Sequence, residues 1–488
     1  MSIQSINPRT ATAFGRTFDA TSDQETVHMI TAAVAAQKIW GAMSAHKRAE
    51  TLHLVADLID SQATELVEIA DQETGLGKVR LTGEVARTTF QLRLLADAAS
   101  KEGFFAPELD SAVEGAPPQG HPNFLRTKRP IGVVTVFGAS NFPFAFSVLG
   151  GDTASALAAG CAVVIKAHSA HPQTSQLSYE IAMDALKKSG APAGLIALGH
   201  GRQFGTVALT DPRVSAGAFT GSRSGGRALF DIAQSRPNPI PFYGELGSVN
   251  PVVVLQSALT DVAALATGYL DSLLLGNGQF CTNPSLLFVP ENDEFLTHVK
   301  ENLATREASP FLSELTQSLH DKNRDHVRSS TKPLQYAGKS APGEGFFSTP
   351  EVFVLTAAKV QPEELAEECF GPTGIIVTYK NLQELNSIVA KLEGALVGAV
   401  FASKDDSQLP GILNLLAGNC GRVVLNAWPT GVAVTAGQHH GGPYPAATSV
   451  LHTSVGVHAI SRFLRPVTFQ GLPDALYKAV TSEPVKGN

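Results

Sequence analysis

The stretch Gly132-Val133-Val134-Thr135-Val136-Phe137 runs without a break into Gly138-Ala139-Ser140-Asn141-Phe142-Pro143-Phe144. A strand with one wet face alternates apolar and polar residues, whereas this run is almost wholly apolar, which suits a strand covered on both faces in a parallel sheet. Ala162-Val163-Val164-Ile165, Leu195-Ile196-Ala197-Leu198 and Ala216-Gly217-Ala218-Phe219 have the same character. Between them lie stretches of helical composition such as Ser175 to Lys188. This strand–helix alternation predicts a doubly wound α/β domain. In such sheets ligands gather beyond the carboxyl ends of the strands, where Gly138 to Phe144 falls. Asn141 there either turns or caps the chain or faces a ligand.

Towards the amino terminus the pattern is helical. Ser22-Asp23-Gln24-Glu25 reads as a capping box, followed by Val27, Ile30 and Val34, and Leu52, Val55 and Ile59 repeat the spacing. Towards the carboxyl terminus a second alternating series begins, with strands expected over Val252 to Leu255, Leu286 to Val289, Ile375 to Tyr379, Val397 to Phe401 and Val423 to Asn426, and a helix over Asp261 to Leu275. The polar stretch from Thr316 to Ser340 has no strong period and is expected as surface helix and loop. A chain of 488 residues needs two or three cores.

The net charge of −7 comes with no basic block, which excludes the usual footprint of a nucleic-acid or anionic-membrane partner and leaves a small molecule as the expected ligand. Cys161, Cys281, Cys369 and Cys420 are far apart and form no zinc-type spacing. A reduced, cytoplasmic chain is expected. Met1 to Asp23 lacks the basic start and apolar run of a signal peptide, and no window is apolar for long enough to span a bilayer.

Two further segments carry chemistry. In Gly276-Asn277-Gly278-Gln279-Phe280-Cys281-Thr282-Asn283-Pro284 the cysteine is either a small buried residue or a nucleophile in a setting where backbone approaches a substrate. In Phe242-Tyr243-Gly244-Glu245-Leu246-Gly247-Ser248-Val249-Asn250-Pro251 the glutamate is either a loop charge or a positioned base. His439-His440 reads as a loop feature without a third metal ligand, and no metal is expected.

Taken together, the amide, glutamate and cysteine segments resemble the aldehyde dehydrogenase superfamily in residue type and chain order. Phe219-Thr220-Gly221-Ser222, Glu367-Glu368-Cys369-Phe370-Gly371-Pro372, Gly441-Gly442-Pro443 and Arg462-Phe463 extend the resemblance over nearly the whole chain. The resemblance implies a thiolate nucleophile at Cys281, an oxyanion site formed by the Asn141 amide with the Cys281 backbone N–H, and Glu245 as the base that hydrolyses the thioester. It also implies a cofactor-binding α/β domain (1–117 and 133–245) and a catalytic α/β domain (246–440). A small β oligomerisation arm (118–132 and 462–488) and a return of 441–461 to the cofactor domain complete it, in a homodimer or homotetramer. Relatives often follow the glutamate with Leu-Gly-Gly-Lys; this chain has Leu246-Gly247-Ser248-Val249, which keeps the base and changes the turn. A non-catalytic relative is the rival from another class, and the intact set Asn141, Glu245, Cys281 and Glu368 argues against it.

Lys166-Ala167-His168-Ser169 corresponds to the family's adenosine-ribose segment, with no acid from Lys166 to Ser178 to repel a 2′-phosphate. NADP is expected, with NAD accepted, Ser169, Thr174 and Ser175 as phosphate donors and Lys166 as counter-charge; Thr174 and Ser175 alternatively cap the next helix. Gly221 and Ser222 are expected at the pyrophosphate, Glu368 at the nicotinamide ribose and Phe370 beside the ring. Phe142, Phe280 and Trp428 either line a substrate tunnel or pack in the core. The motifs are most similar to a branch holding α-ketoglutaric semialdehyde dehydrogenases and NADP-linked long-chain aldehyde dehydrogenases. This implies oxidation of 2,5-dioxopentanoate to 2-oxoglutarate, with medium- or long-chain aliphatic aldehydes as the alternative.

Overall fold

The apolar runs assemble into two parallel sheets, with a smaller antiparallel one beside them. The computed structural model describes residues 2–101 and 104–481. It opens with an antiparallel hairpin, β1 (Ser2–Asn7) and β2 (Thr12–Asp19), where only helical patterning was expected. Helices α1 (Asp23–Ala42), α2 (Ala45–Ser61), α3 (Ala63–Thr74) and α4 (Lys78–Ser100) follow. The predicted capping box is present, Ser22 and Glu25 bonding each other's backbone N–H. The buried face of α1 is Ile30, Ala33, Ala36 and Trp40, while Val27 is exposed. The Trp40 indole, which donates to the Leu157 carbonyl at 2.9 Å, turns the helix onto that face.

Strands β3 (Glu108–Asp110) and β4 (Phe124–Pro130) belong to the small sheet and are completed by the last strand of the chain. Next come β5 (Val133–Phe137), α5 (Gly151–Ala159), β6 (Ala162–Lys166), α6 (Pro172–Ser189), β7 (Ile196–Gly199), α7 (Arg202–Thr210), β8 (Val214–Gly221), α8 (Arg223–Ser235) and β9 (Phe242–Leu246). These strands form a parallel sheet in the order β7-β6-β5-β8-β9. Because every pair is parallel, Asn141, Lys166, Ser222 and Glu245 all lie at or just beyond carboxyl ends on one edge.

The second sheet has the order β12-β13-β14-β11-β10-β15-β16. It comprises β10 (Pro251–Val254), β11 (Leu286–Pro290), β12 (Leu334–Ala337), β13 (Glu351–Thr356), β14 (Thr373–Tyr379), β15 (Ala395–Phe401) and β16 (Cys420–Leu425). All its pairs are parallel except β12 with β13. Helix α9 (Val262–Leu274) matches expectation, and the polar stretch forms a helix over Glu314–Thr331 and then the edge strand β12. Strand β13 was not predicted; its first five residues are buried. Strand β17 (Leu464–Gln470) pairs antiparallel with all of β4. The final residues of the expected arm, 482–488, lie outside the described residues.

Only residues 247–250 separate the carboxyl end of β9 from the amino end of β10, so the functional edge of the first sheet meets the amino edge of the second. Among the described residues no helix is long and apolar enough to cross a membrane.

Candidate active site

Cys281 lies between α9 and β11, after a turn in which Gly276, Asn277 and Gly278 all take left-handed backbone conformations (φ 57°, 59° and 69°). Glycine is required at 278 by space as well, since a Cβ there would come within 2.0 Å of the Gly371 carbonyl oxygen. Asn250 fixes the cysteine from the other side, its amide donating to the carbonyls of Cys281 (2.8 Å) and Asn283 (3.1 Å). The nucleophile candidate is thus mounted on a rigid loop and half-buried.

Glu245 is not a loop charge. It sits in β9, buried, with Oε2 accepting from the Ser454 hydroxyl at 2.8 Å. Residues 440–455 return along β9, where Leu246 N–H donates to the Ala446 carbonyl and Glu245 bridges to Ala447. That return also delivers His440, whose Nε2 lies 2.9 Å from Glu245 Oε1 and 3.6 Å from Cys281 Sγ. The loop histidine of the sequence reading is therefore a central member of the site. Nothing in His439-His440 signals this, because the pairing depends on a backbone return about 200 residues distant from Glu245.

Burial raises the Glu245 carboxyl, but His440, Ser454 and the Cys281 thiol outweigh it and hold the group below the usual carboxylate range. Burial, reinforced by the Glu245 charge, pushes the Cys281 thiol well above its usual value. The resting pair is a thiol beside a carboxylate. Ligand atoms of Glu245, Cys281 and His440 all lie within 4.8 Å of one another, the one such group among the described residues with spacing that also suits a cation.

Asn141 is buried, and its amide nitrogen donates one hydrogen to the Gln279 carbonyl at 3.0 Å, leaving its second. Phe142 and Phe280 meet edge to face at 5.3 Å, and Phe142 meets Phe146 likewise at 5.3 Å. Trp428 does not join them. It packs on Phe401 at 4.5 Å and Tyr269 at 5.9 Å against the core of the second sheet, which corrects its placement in a tunnel.

The residues expected to hold a dinucleotide divide. Lys166 ends β6 with its ammonium making no hydrogen bond or ion pair to the described residues, and burial lowers that ammonium to about 8. Glu368 likewise has a carboxylate without a partner among the described residues, pushed up to about 8 by burial and lying against Gly247, where a Cβ would come 2.0 Å from its Oε2. An unpaired ammonium and an unpaired carboxylate fit a ligand carrying hydroxyls and phosphates. Gly221 and Ser222 stand at the β8–α8 turn, with Ser222 capping α8 through Gly225 N–H. Phe370 follows in the Glu368 loop, and Ser169 is exposed beyond β6.

Thr174 and Ser175 are not free to hold a phosphate. Both are fully buried, Thr174 donating its hydroxyl and backbone N–H to Glu73 at 2.6 and 2.8 Å and Ser175 contacting the His171 ring at 3.1 Å. Glu73 also accepts from Gln173 N–H, so a protein carboxylate already fills the anion position at the start of α6.

With this geometry in view, residues 1–468 match the aldehyde dehydrogenase family along nearly the full chain. The chain belongs to that family. It is 42% identical to alpha-ketoglutaric semialdehyde dehydrogenase 2 of Azospirillum brasilense over 437 residues, covering 88% of this chain and 83% of that protein. It is 37% identical to alpha-ketoglutaric semialdehyde dehydrogenase of Acinetobacter baylyi over 486 residues, covering 97% and 92%. The fold is shared with lactaldehyde dehydrogenase from Escherichia coli, at a TM-score of 0.83, 22% identity and coverage of 96% and 95%. This aldehyde dehydrogenase is accordingly an oxidoreductase acting on an aldehyde, and its Cys281 loop, Glu245 strand and Asn141 turn meet where the two sheets join.

Proposed function

We propose that this aldehyde dehydrogenase oxidises 2,5-dioxopentanoate to 2-oxoglutarate through a thioester on Cys281. The observation that carries the chemistry is the cluster of Sγ, His440 Nε2 and the Glu245 carboxylate within 4.8 Å, next to the Asn141 amide. The thiol proton passes into the buried His440–Glu245 pair as Sγ adds to the aldehyde carbon, and is released to solvent before the thioester is hydrolysed. The Asn141 amide and the Cys281 backbone N–H stabilise the oxyanion. Lys166, Gly221, Ser222 and Glu368 would hold a nicotinamide dinucleotide, which would supply the hydride acceptor needed for the oxyanion to collapse to the thioester. Glu245, held ionised, then takes the proton of a water that hydrolyses the thioester. A cation in the cluster would tie up the thiolate, so chelation is expected to leave turnover unchanged.

The two semialdehyde dehydrogenases at 42% and 37% identity support the substrate. The exposed Ser169, the unpaired Lys166 and the absence of an acid from Lys166 to Ser178 support NADP over NAD. Four unpaired cysteines fit the reducing cytoplasm. The test is kcat/KM for 2,5-dioxopentanoate against hexanal, each with NADP and NAD. A lead for the semialdehyde and for NADP is expected, and Ser169→Glu should shift the cofactor ratio towards NAD. If hexanal leads by about tenfold, a gap of roughly 1.4 kcal/mol in transition-state binding, the aliphatic assignment replaces it.

A further inference from the structure

Two arginines on α4 are left unsatisfied against the aromatic wall beside Cys281. Arg80, Glu84 and Arg87 follow at i, i+4 and i+7 and so share one face of the helix. Arg80 lies 4.6 Å from the centre of the Phe280 ring and 5.0 Å from that of Phe142, and Nη2 donates to the Asn141 carbonyl at 2.6 Å. Its Nη1 is buried without a partner. Arg87 lies over Phe142 (5.9 Å) and Phe146 (5.3 Å), and its guanidinium donates no hydrogen bond to any described residue. Its Nε and Nη2 are both buried and unpartnered.

Burying unpaired charged donors is costly, and such donors persist where a ligand completes them. Nε and Nη2 form one edge of the guanidinium fork, the edge that matches the two oxygens of a carboxylate. The local charge has the right sign. Glu84 is the acid between the two arginines, and its Oε1 is already taken by the N–H groups of Phe144 (2.8 Å) and Ala145 (3.0 Å). Glu84 offsets one of the two guanidinium charges on this helix face, and the Arg87 charge acts on both Cys281 and Glu245.

We propose that Arg87, with Arg80 beside it, anchors the 2-oxo-carboxylate end of the substrate while its aldehyde end reaches Cys281. The Phe146 ring that carries Arg87 also meets the His440 ring at 6.1 Å, so one aromatic ring separates anchor from base. An extended five-carbon chain, about 5 Å between its terminal carbons, is the length that would run past this ring from anchor to nucleophile. Succinic semialdehyde, one carbon shorter, is held less well for the same reason. The proposal rests on the semialdehyde reading of the active site.

The test uses the full chain with Arg87→Leu, Arg87→Lys and Arg80→Lys. It measures kcat/KM for 2,5-dioxopentanoate and hexanal, inhibition of hexanal oxidation by 2-oxoglutarate, and thermal unfolding. Arg87→Leu is expected to lower kcat/KM for the semialdehyde on the order of 100-fold, mainly through KM, with a much smaller change for hexanal. Inhibition by 2-oxoglutarate should weaken in parallel. Arg87→Lys, which keeps the charge and loses the fork, should fall between, and serves alone if the leucine variant does not fold. Equal losses on both substrates would make Arg87 a structural residue and overturn the proposal, as would no loss on either. If the wild-type enzyme itself prefers hexanal, the semialdehyde reading fails first. Retained 2-oxoglutarate inhibition in Arg87→Leu would then overturn the anchor separately.

Discussion

In the proposed mechanism Glu245, Cys281 and His440 share two proton transfers, and single substitutions separate their parts. Cys281→Ser removes the thiolate and should lower turnover by several orders of magnitude, checked by the rate of cofactor reduction. Glu245→Gln keeps the shape and the Ser454 contact but cannot accept a proton from water. The expected result is a stoichiometric burst of reduced cofactor followed by steady turnover reduced about 100-fold or more. His440→Gln should slow the burst itself, because the pair that takes up the thiol proton loses its imidazole before the thioester forms. A fast burst in His440→Gln would transfer the first proton to Glu245. The local settings of Cys281, Glu245 and Asn141 each left two readings open, and it was the resemblance to the aldehyde dehydrogenase superfamily that singled out the three residues, which the structure brings to the join of the two sheets. His440, Ser454, Arg80 and Arg87 were not legible in the sequence, since their neighbours in sequence carry no sign of the backbone return or helix face that aims them.

At the level of elements, the site depends on turns that only certain residues allow. Gly278 combines a left-handed φ of 69° with a Cβ position 2.0 Å from the Gly371 carbonyl, so Gly278→Ala must move either the Cys281 loop or the Glu368 loop. The φ alone costs about 1–3 kcal/mol, and both melting temperature and activity should fall. Gly411 provides the contrast. It lies in the helix Leu409–Asn419 with nothing near its Cβ position, so Gly411→Ala should raise stability by about 0.4–1 kcal/mol in thermal or denaturant unfolding, with kinetics unchanged. The two central sheets were readable for a related reason: strands such as Val133–Phe137 and Leu286–Pro290 are covered on both faces and therefore almost wholly apolar. The hairpin β1–β2 and strand β12 escaped because their exposed residues carry no such run, and only tertiary pairing makes them strands.

The whole molecule places its chemistry at the join of two sheets and sets the small sheet β17-β4-β3 apart from it. In β4, Leu125 and Thr127 are buried while Arg126, Lys128 and Arg129 are exposed, so one face packs inward and the other is free. A cleft of about 130 Å³ lined in part by Glu108, Arg126, Arg465 and Pro466 lies along the same sheet. The outer edges of β3 and β17 have no strand partner among the described residues, and an open edge of this kind is a site for pairing with another chain unless it is covered. A second copy covering it would be symmetric, in keeping with the homodimer or homotetramer that the family resemblance implies. Light scattering should then give a mass of at least twice the 51.3 kDa chain, and Thr468→Pro, which interrupts β17 at an exposed position, should lower that mass. The distance of this strand from Cys281 in the topology makes the expectation specific: a separated subunit should still form the thioester, because none of the groups placed at Cys281 comes from the arm. A variant that stays fully assembled with β17 broken, or a monomeric wild type, would remove the arm from the assembly.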